Sequence, residues 1–113
     1  SSGERSKVLL ARANITNPSL LLLDEASNAL DFPSRSELRK TISKYAKAGK
    51  TILLVTHELS EIIPEIDRVI IMKNGEIFMD GKKEEVITER ILEEVYERKI
   101  YVDSRDGLYN AWC

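Results

Sequence analysis

Two adjacent carboxylates and one histidine carry the chemistry that this sequence offers first. Leu20 to Asp31 reads Leu-Leu-Leu-Leu-Asp-Glu-Ala-Ser-Asn-Ala-Leu-Asp. The apolar run has no polar face and stops abruptly at Asp24 and Glu25. Such a run, bounded by turn residues, fits a strand buried on both faces of a sheet. Periodicity alone also admits a buried helix segment, but Pro18 before the run and Ala26-Ser27-Asn28 after it favour the strand. Ligands of open α/β sheets bind at the carboxyl ends of strands. Neighbouring strand residues point to opposite faces, so the two carboxylates can take different roles. One can hold a magnesium ion, often through water; the other can position or deprotonate an attacking water. The plain alternative is a solvated Asp-Glu pair. His57 follows a second apolar run, Thr51 to Val55, in the sequence Thr56-His57-Glu58. A lone histidine is more often structural than catalytic, and its position at a strand end is what raises the functional reading.

The elements between these residues decide whether they meet. After Asp31, Pro33 and the pattern Ser34-x-x-Glu37 signal a helix start through a capping box. Leu38, Ile42, Tyr45 and Ala46 form its apolar stripe, and Gly49 ends it, with Lys47 and Lys50 near the negative terminus. Thr51 to Val55 is β-branched at three positions and reads as a second buried strand. Strand, helix and strand in this order imply a parallel pair joined by a right-handed crossover. Both carboxyl ends then lie on one edge, which brings His57 towards Asp24 and Glu25.

Composition sets the outer bounds. The sequence has 113 residues, 42% hydrophobic and 32% charged, which suits one modest globular domain. The net charge is −2 and no basic block stands out, so nucleic acid is not expected as a ligand. A single Cys, at position 113, excludes an internal disulfide and a cysteine metal cluster and fits a reducing compartment. No apolar run approaches the roughly 20 residues that span a bilayer, and no basic segment followed by an apolar one opens the sequence as a secretory signal does. The sequence begins without Met, so it is expected to be a piece of something longer or a processed chain.

The remaining stretches read in order. Ser1-Ser2-Gly3-Glu4 precedes a helical pattern over Val8 to Ile15. Small residues before a helix leave backbone N–H groups free at its positive end, where phosphate binds readily; an ordinary N-cap is the alternative. Leu59 to Ile63 is a short helical segment limited by Pro64, and Arg68 to Lys73 is a third strand. Asn74-Gly75 is a hairpin signal, with Glu76 to Asp80 as the antiparallel return strand. From Gly81 onward, Val86, Ile87, Ile91, Leu92, Val95 and Tyr96 recur at helical spacing. Arg90 with Glu94 and Glu94 with Arg98 can pair on a solvated face. Lys99 to Asp103 reads as an edge strand, Asp106-Gly107 as a turn, and Leu108 to Cys113 as a poorly ordered end.

Taken together, these stretches resemble the nucleotide-binding domain of ABC-type ATPases over about residues 1 to 81. Ser1-Ser2-Gly3-Glu4 looks like the signature motif without its leading Leu, and Val8-Leu-Leu-Ala-Arg-Ala13 like the helix after it. Leu20 to Glu25 looks like the Walker B strand with its catalytic Glu, Asn28-Ala29-Leu30-Asp31 like the D-loop, and Thr56-His57 like the switch histidine. Val69 to Gly81 looks like the strand pair of importer-type domains. Each motif is weak alone, whereas their order and spacing are specific. Two departures stand out. Ala26 and Ser27 replace the usual Pro and Thr, with Ser27 keeping the hydroxyl. No Gly-x-x-x-x-Gly-Lys-Ser/Thr stretch occurs, and the aromatic that stacks on adenine and the Gln-bearing loop are missing too. The resemblance therefore implies an α/β fold, the carboxyl-terminal part of a P-loop NTPase domain, with parallel strands and helices plus a terminal antiparallel hairpin. Residues 1–113 would form a partial domain, and 82–113 its helical and edge-strand extension.

The resemblance also implies roles. Two such domains sandwich two ATP molecules, each between the Walker motifs of one domain and the signature of the other. Asp24 would help hold Mg²⁺, Glu25 would be the general base on the hydrolytic water, and His57 would contact the γ-phosphate. Ser1, Ser2, Gly3 and Glu4 would belong to the signature that caps the partner's ATP, and Asp31 would report across the interface. The implied partners are a second nucleotide-binding domain and transmembrane permease subunits, with the protein cytoplasmic and peripheral to the membrane. A soluble ABC ATPase outside transport, or a non-enzymatic half-domain that offers only a signature surface, are the alternatives.

Overall fold

The computed structural model describes residues 19–113. The expectations for Ser1, Ser2, Gly3 and Glu4, for the helix over Val8 to Ile15 and for the turn at Pro18 lie outside the described residues. The chain divides after Glu65 into two units.

In the first unit, β1 (Leu20–Asp24) and β2 (Thr51–Val55) pair in parallel, from Leu20 opposite Thr51 to Asp24 opposite Val55. The crossover is α1 (Phe32–Lys47), as a parallel pair requires. Leu38 and Ile42, one helical turn apart, are buried, while Tyr45 and Ala46 are half-buried. Leu38 and Ile42 line a small cavity with Leu54 of β2, so α1 packs on one face of the strand pair. That arrangement corrects the expectation of a strand buried on both faces. Leu21 is 8% exposed, but Leu20 is 53% and Leu22 61% exposed, and Leu53 and Val55 of β2 are also exposed. Among the described residues this sheet has two strands and one helix beside it, which covers one side, and the pleat sends alternate leucines to the other. The helix start also differs from the capping box at Ser34. Asp31 is the N-cap, and its Oδ1 accepts the Ser34 N–H at 2.9 Å. Asp31 has the extended backbone that an N-cap needs, at φ −74° and ψ 172°, whereas Ser34 already lies in the first turn. Gly49, at φ +87°, follows the last turn in the left-handed conformation that a helix end favours.

Beyond β2 the chain makes a single 3₁₀ turn, Leu59–Glu61, shorter than the expected segment. Ile62 and Ile63 after it are buried, Ile63 completely.

The second unit is built on hairpins. β3 (Arg68–Lys73) and β4 (Glu76–Lys82) pair antiparallel around Asn74-Gly75. Both turn residues have positive φ, +53° and +77°, as a two-residue type I′ turn demands. Gly81, expected to turn the chain into a helix, lies within β4 opposite Val69. The helical region is two pieces, α2 (Lys83–Val86) and α3 (Glu89–Tyr96). Thr88 interrupts it, because its side chain accepts the Ile91 N–H and caps α3. Val86, Ile87, Ile91 and Leu92 are buried. Arg90 pairs with Glu94 at 3.6 Å. Arg98 falls outside the helix, because Glu97 closes α3 in the left-handed region at φ +56°; it contacts Cys113 Sγ at 3.8 Å instead of meeting Glu94. The last correction is at the carboxyl end. β5 (Tyr101–Arg105) pairs antiparallel with β6 (Leu108–Trp112) around Asp106-Gly107, and Tyr101 stacks on Trp112 with ring centroids 6.0 Å apart. The stretch expected to be poorly ordered is therefore a strand, held by cross-strand bonds and an aromatic pair.

Candidate functional site

β1 and β2 end side by side, and this places the candidate side chains. The Glu25 N–H donates to the Val55 carbonyl at 2.8 Å, which extends the ladder one residue past the strand. Glu25 then turns into the left-handed region, at φ +49°, a conformation that costs energy for a residue with a Cβ. The turn is closed by the Asn28 N–H on the Glu25 carbonyl and the Leu30 N–H on the Ser27 carbonyl, both at 3.1 Å. It delivers the Glu25 carboxylate to His57: Oε1 lies 3.1 Å from Nδ1 of the ring. The other carboxylate oxygen, Oε2, accepts the Asn28 side-chain amide at 2.9 Å. An ionised carboxylate only accepts, so Nδ1 carries the proton in this pair and Nε2 remains for another partner. Both side chains stay open to solvent, His57 at 64% and Glu25 at 45%.

Asp24, paired with Val55 on the ladder, is exposed at the end of β1. Among the described residues no three His, Cys, Asp or Glu side chains gather as a metal cage. The exposed Asp24 can offer one carboxylate, and a magnesium ion that keeps most of its waters needs only one or two. Asp31 sits at the far end of the turn as the cap of α1. Hydrogen bonds from Ser34, side chain and backbone, hold its carboxyl below the usual carboxylate range.

Sequence reading brought Glu25 and His57 to one edge, and the structure joins them. It missed the groups that fix them. Asn28 holds the Glu25 carboxylate, although only its place three residues on in a turn hinted at this. On the histidine side, Thr56 Oγ1 donates to Glu61 Oε2 at 2.6 Å and accepts the Glu58 N–H at 3.0 Å. Glu61 is buried. Arg35 of α1 donates through Nε to the Leu30 carbonyl and through Nη1 to the Glu58 carboxylate, each at 3.1 Å. Ser27 Oγ is buried with no hydrogen-bond partner among the described residues, and it lines the small cavity together with Arg35 and Glu61.

No protein-family model matches the chain. Its curated relatives are informative. The ABC transporter ATP-binding protein YlmA of Bacillus subtilis is 39% identical over 104 residues, which cover 90% of this chain and 39% of the relative. The ABC transporter ATP-binding protein YmeB of Lactococcus lactis is 34% identical over 111 residues, 96% of this chain and 43% of the relative. Among solved structures, an inward-facing ABC transporter of metal-chelate type superposes with a TM-score of 0.82 over 98% of this chain and 45% of its own, at 19% identity, a likeness that speaks for the fold. The chain thus spans about two-fifths of the length of these curated relatives. By sequence and by fold, it corresponds to part of an ABC-type nucleotide-binding domain of the kind carried by ABC transporter ATP-binding proteins, consistent with the carboxyl-terminal half that its motif order implies.

Proposed function

We propose that the intact protein hydrolyses ATP and couples hydrolysis to movement in a membrane partner, with Glu25 as general base. The observation that carries this is the Glu25–His57 contact at 3.1 Å, formed at the carboxyl ends of two parallel strands. Glu25 is aimed by two hydrogen bonds, from Asn28 and His57, and remains accessible to water. That combination suits a base which orients a water and accepts its proton. His57, held through Nδ1, keeps Nε2 for another partner, and in this reading that partner is the γ-phosphate. A protonated ring there would stabilise the charge that develops in the transition state. Asp24 and a neighbouring water would hold magnesium, which neutralises phosphate charge when bound.

Ser1, Ser2, Gly3 and Glu4, as the signature, would face the nucleotide of a second nucleotide-binding domain, and Asp31 would lie at that interface. This reading places the protein in the cytoplasm, against permease subunits in the membrane. Among the described residues no helix is long and apolar enough to cross a membrane. The 113 residues alone, with no phosphate-loop motif in their sequence, are expected neither to hydrolyse ATP nor to bind it tightly. The test uses the full-length protein that carries this chain. His57→Ala is expected to lower turnover by roughly a hundredfold while ATP binding, read by calorimetry, stays within about twofold. Unchanged turnover would remove His57 from this role.

A further inference from the structure

We propose that Arg35 is a positioning residue that sets the spacing between Glu25 and His57; the inference rests on the reading of those two residues given above. The two lie on separate turns, 32 residues apart in sequence. Their direct contact is between side chains that are 64% and 45% exposed. Exposed pairs of this kind are weak and screened by salt, and the ladder bond from the Glu25 N–H to the Val55 carbonyl fixes the backbone where the turns begin, not the turns beyond it. Arg35 supplies a further tie. Its Nε grips the Leu30 carbonyl, at the end of the turn that carries Glu25 and Asn28. Its Nη1 grips the carboxylate of Glu58, the residue after His57. The Arg35 and Glu58 side chains are 33% and 35% exposed, better shielded than the pair they support.

Both ends of this tie are themselves fixed. Leu30 is buried, and its N–H is bonded to the Ser27 carbonyl. Glu58 is held at its backbone by Thr56 Oγ1, which in turn is bonded to the buried Glu61. Arg35 leaves α1 one turn after its cap, and its own N–H bonds the Asp31 carbonyl. One planar guanidinium therefore spans two acceptors on two turns at once. A lysine ammonium keeps the charge but lacks the fork, so it reaches one acceptor or the other.

The chemistry makes that spacing matter. A base and a phosphate-contacting group act together only when both reach their atoms in one geometry, and an error of about 1 Å costs roughly a hundredfold. Loss of one tie among several should cost less. Steady-state ATP hydrolysis by the full-length protein, with magnesium and ATP, is the experiment. Arg35→Lys and Glu58→Met are each expected to lower kcat by about tenfold, with KM for ATP within about twofold. The double variant is expected to fall no further than the worse single one, because both break the same tie. Wild-type kcat in Arg35→Lys, or a loss confined to thermal stability, overturns the proposal. Glu58→Met is close in size, cannot accept the guanidinium, and keeps the test open if the Arg35 variant folds poorly. A parallel His57→Ala variant separates the two claims. If it is impaired while Arg35→Lys and Glu58→Met are not, only the positioning role fails. If it is fully active, the reading of the site itself fails.

Discussion

Leu21 and Leu22 are neighbours in sequence, yet the structure assigns them opposite energetic roles. Leu21 is 8% exposed and faces the side that α1 covers; Leu22 is 61% exposed on the open side. Leu21→Ala removes buried methyl groups and leaves a cavity, a change that costs about 2–5 kcal/mol. Leu22 keeps only about two-fifths of its surface from water, so roughly 0.6–1.2 kcal/mol is at stake from the ~1.5–3 kcal/mol of a full burial. Urea unfolding of the 113-residue chain, followed by far-ultraviolet circular dichroism, reads the two costs as shifts in midpoint at constant slope. Leu21→Ala is expected to cost at least about 1 kcal/mol more than Leu22→Ala. Equal costs would show that the open face is covered and that this description of the sheet is wrong. Any further chain that covered Leu22 would raise its cost towards that of Leu21, so the same pair of variants also reports what lies against β1.

Two more outcomes follow from local contacts. Asp31 and Asp80 both have carboxyls below the usual range, Asp31 through Ser34 and Asp80 through hydrogen bonds from Arg68. Because their folded values lie below the unfolded ones, their contribution is present above the unfolded carboxylate pKa and is lost as pH falls through the folded values. Stability should therefore decline on acidification below about pH 4, and Asp31→Asn, which keeps the capping oxygen, should flatten that decline; an identical acid profile for the variant would contradict the assignment. Thr88→Ala removes the cap of α3 and is expected to cost about 0.5–2 kcal/mol in chemical unfolding, whereas a cost near zero would mean that the break between α2 and α3 does not depend on Thr88.

Much of this fold is legible because its signals are local. The apolar runs of β1 and β2, the α1 stripe at Leu38 and Ile42, and the Asn74-Gly75 hairpin each declare themselves within a few residues. The strand–helix–strand order implies a parallel pair, and parallel strands end on one edge, which brings Glu25 and His57 together. What stayed hidden depends on distant partners. Leu108–Trp112 has weak strand character, and becomes a strand because β5 stands opposite and Tyr101 meets Trp112. Arg35 and Glu58 look like ordinary surface charges, and only the crossover sets them 3.1 Å apart. The exposed leucines of β1 show the reverse case. Their composition asks for cover on both faces, while the elements described here supply it on one.

The central claim is that Glu25 takes the proton of the hydrolytic water, and Glu25→Gln in the full-length protein tests it most directly. The amide keeps the shape of the side chain and one oxygen, enough to accept one of the two hydrogen bonds that Asn28 and His57 make to the carboxylate, but it cannot serve as a base. Turnover of ATP with magnesium, measured by phosphate release beside a calorimetric measurement of ATP binding, separates chemistry from affinity. The expected result is a loss of turnover of about a hundredfold or more, with ATP still bound and the nucleotide-closed dimer accumulating on a sizing column. Turnover within about twofold of the unmodified protein would contradict the account, because some other group would then be taking the proton.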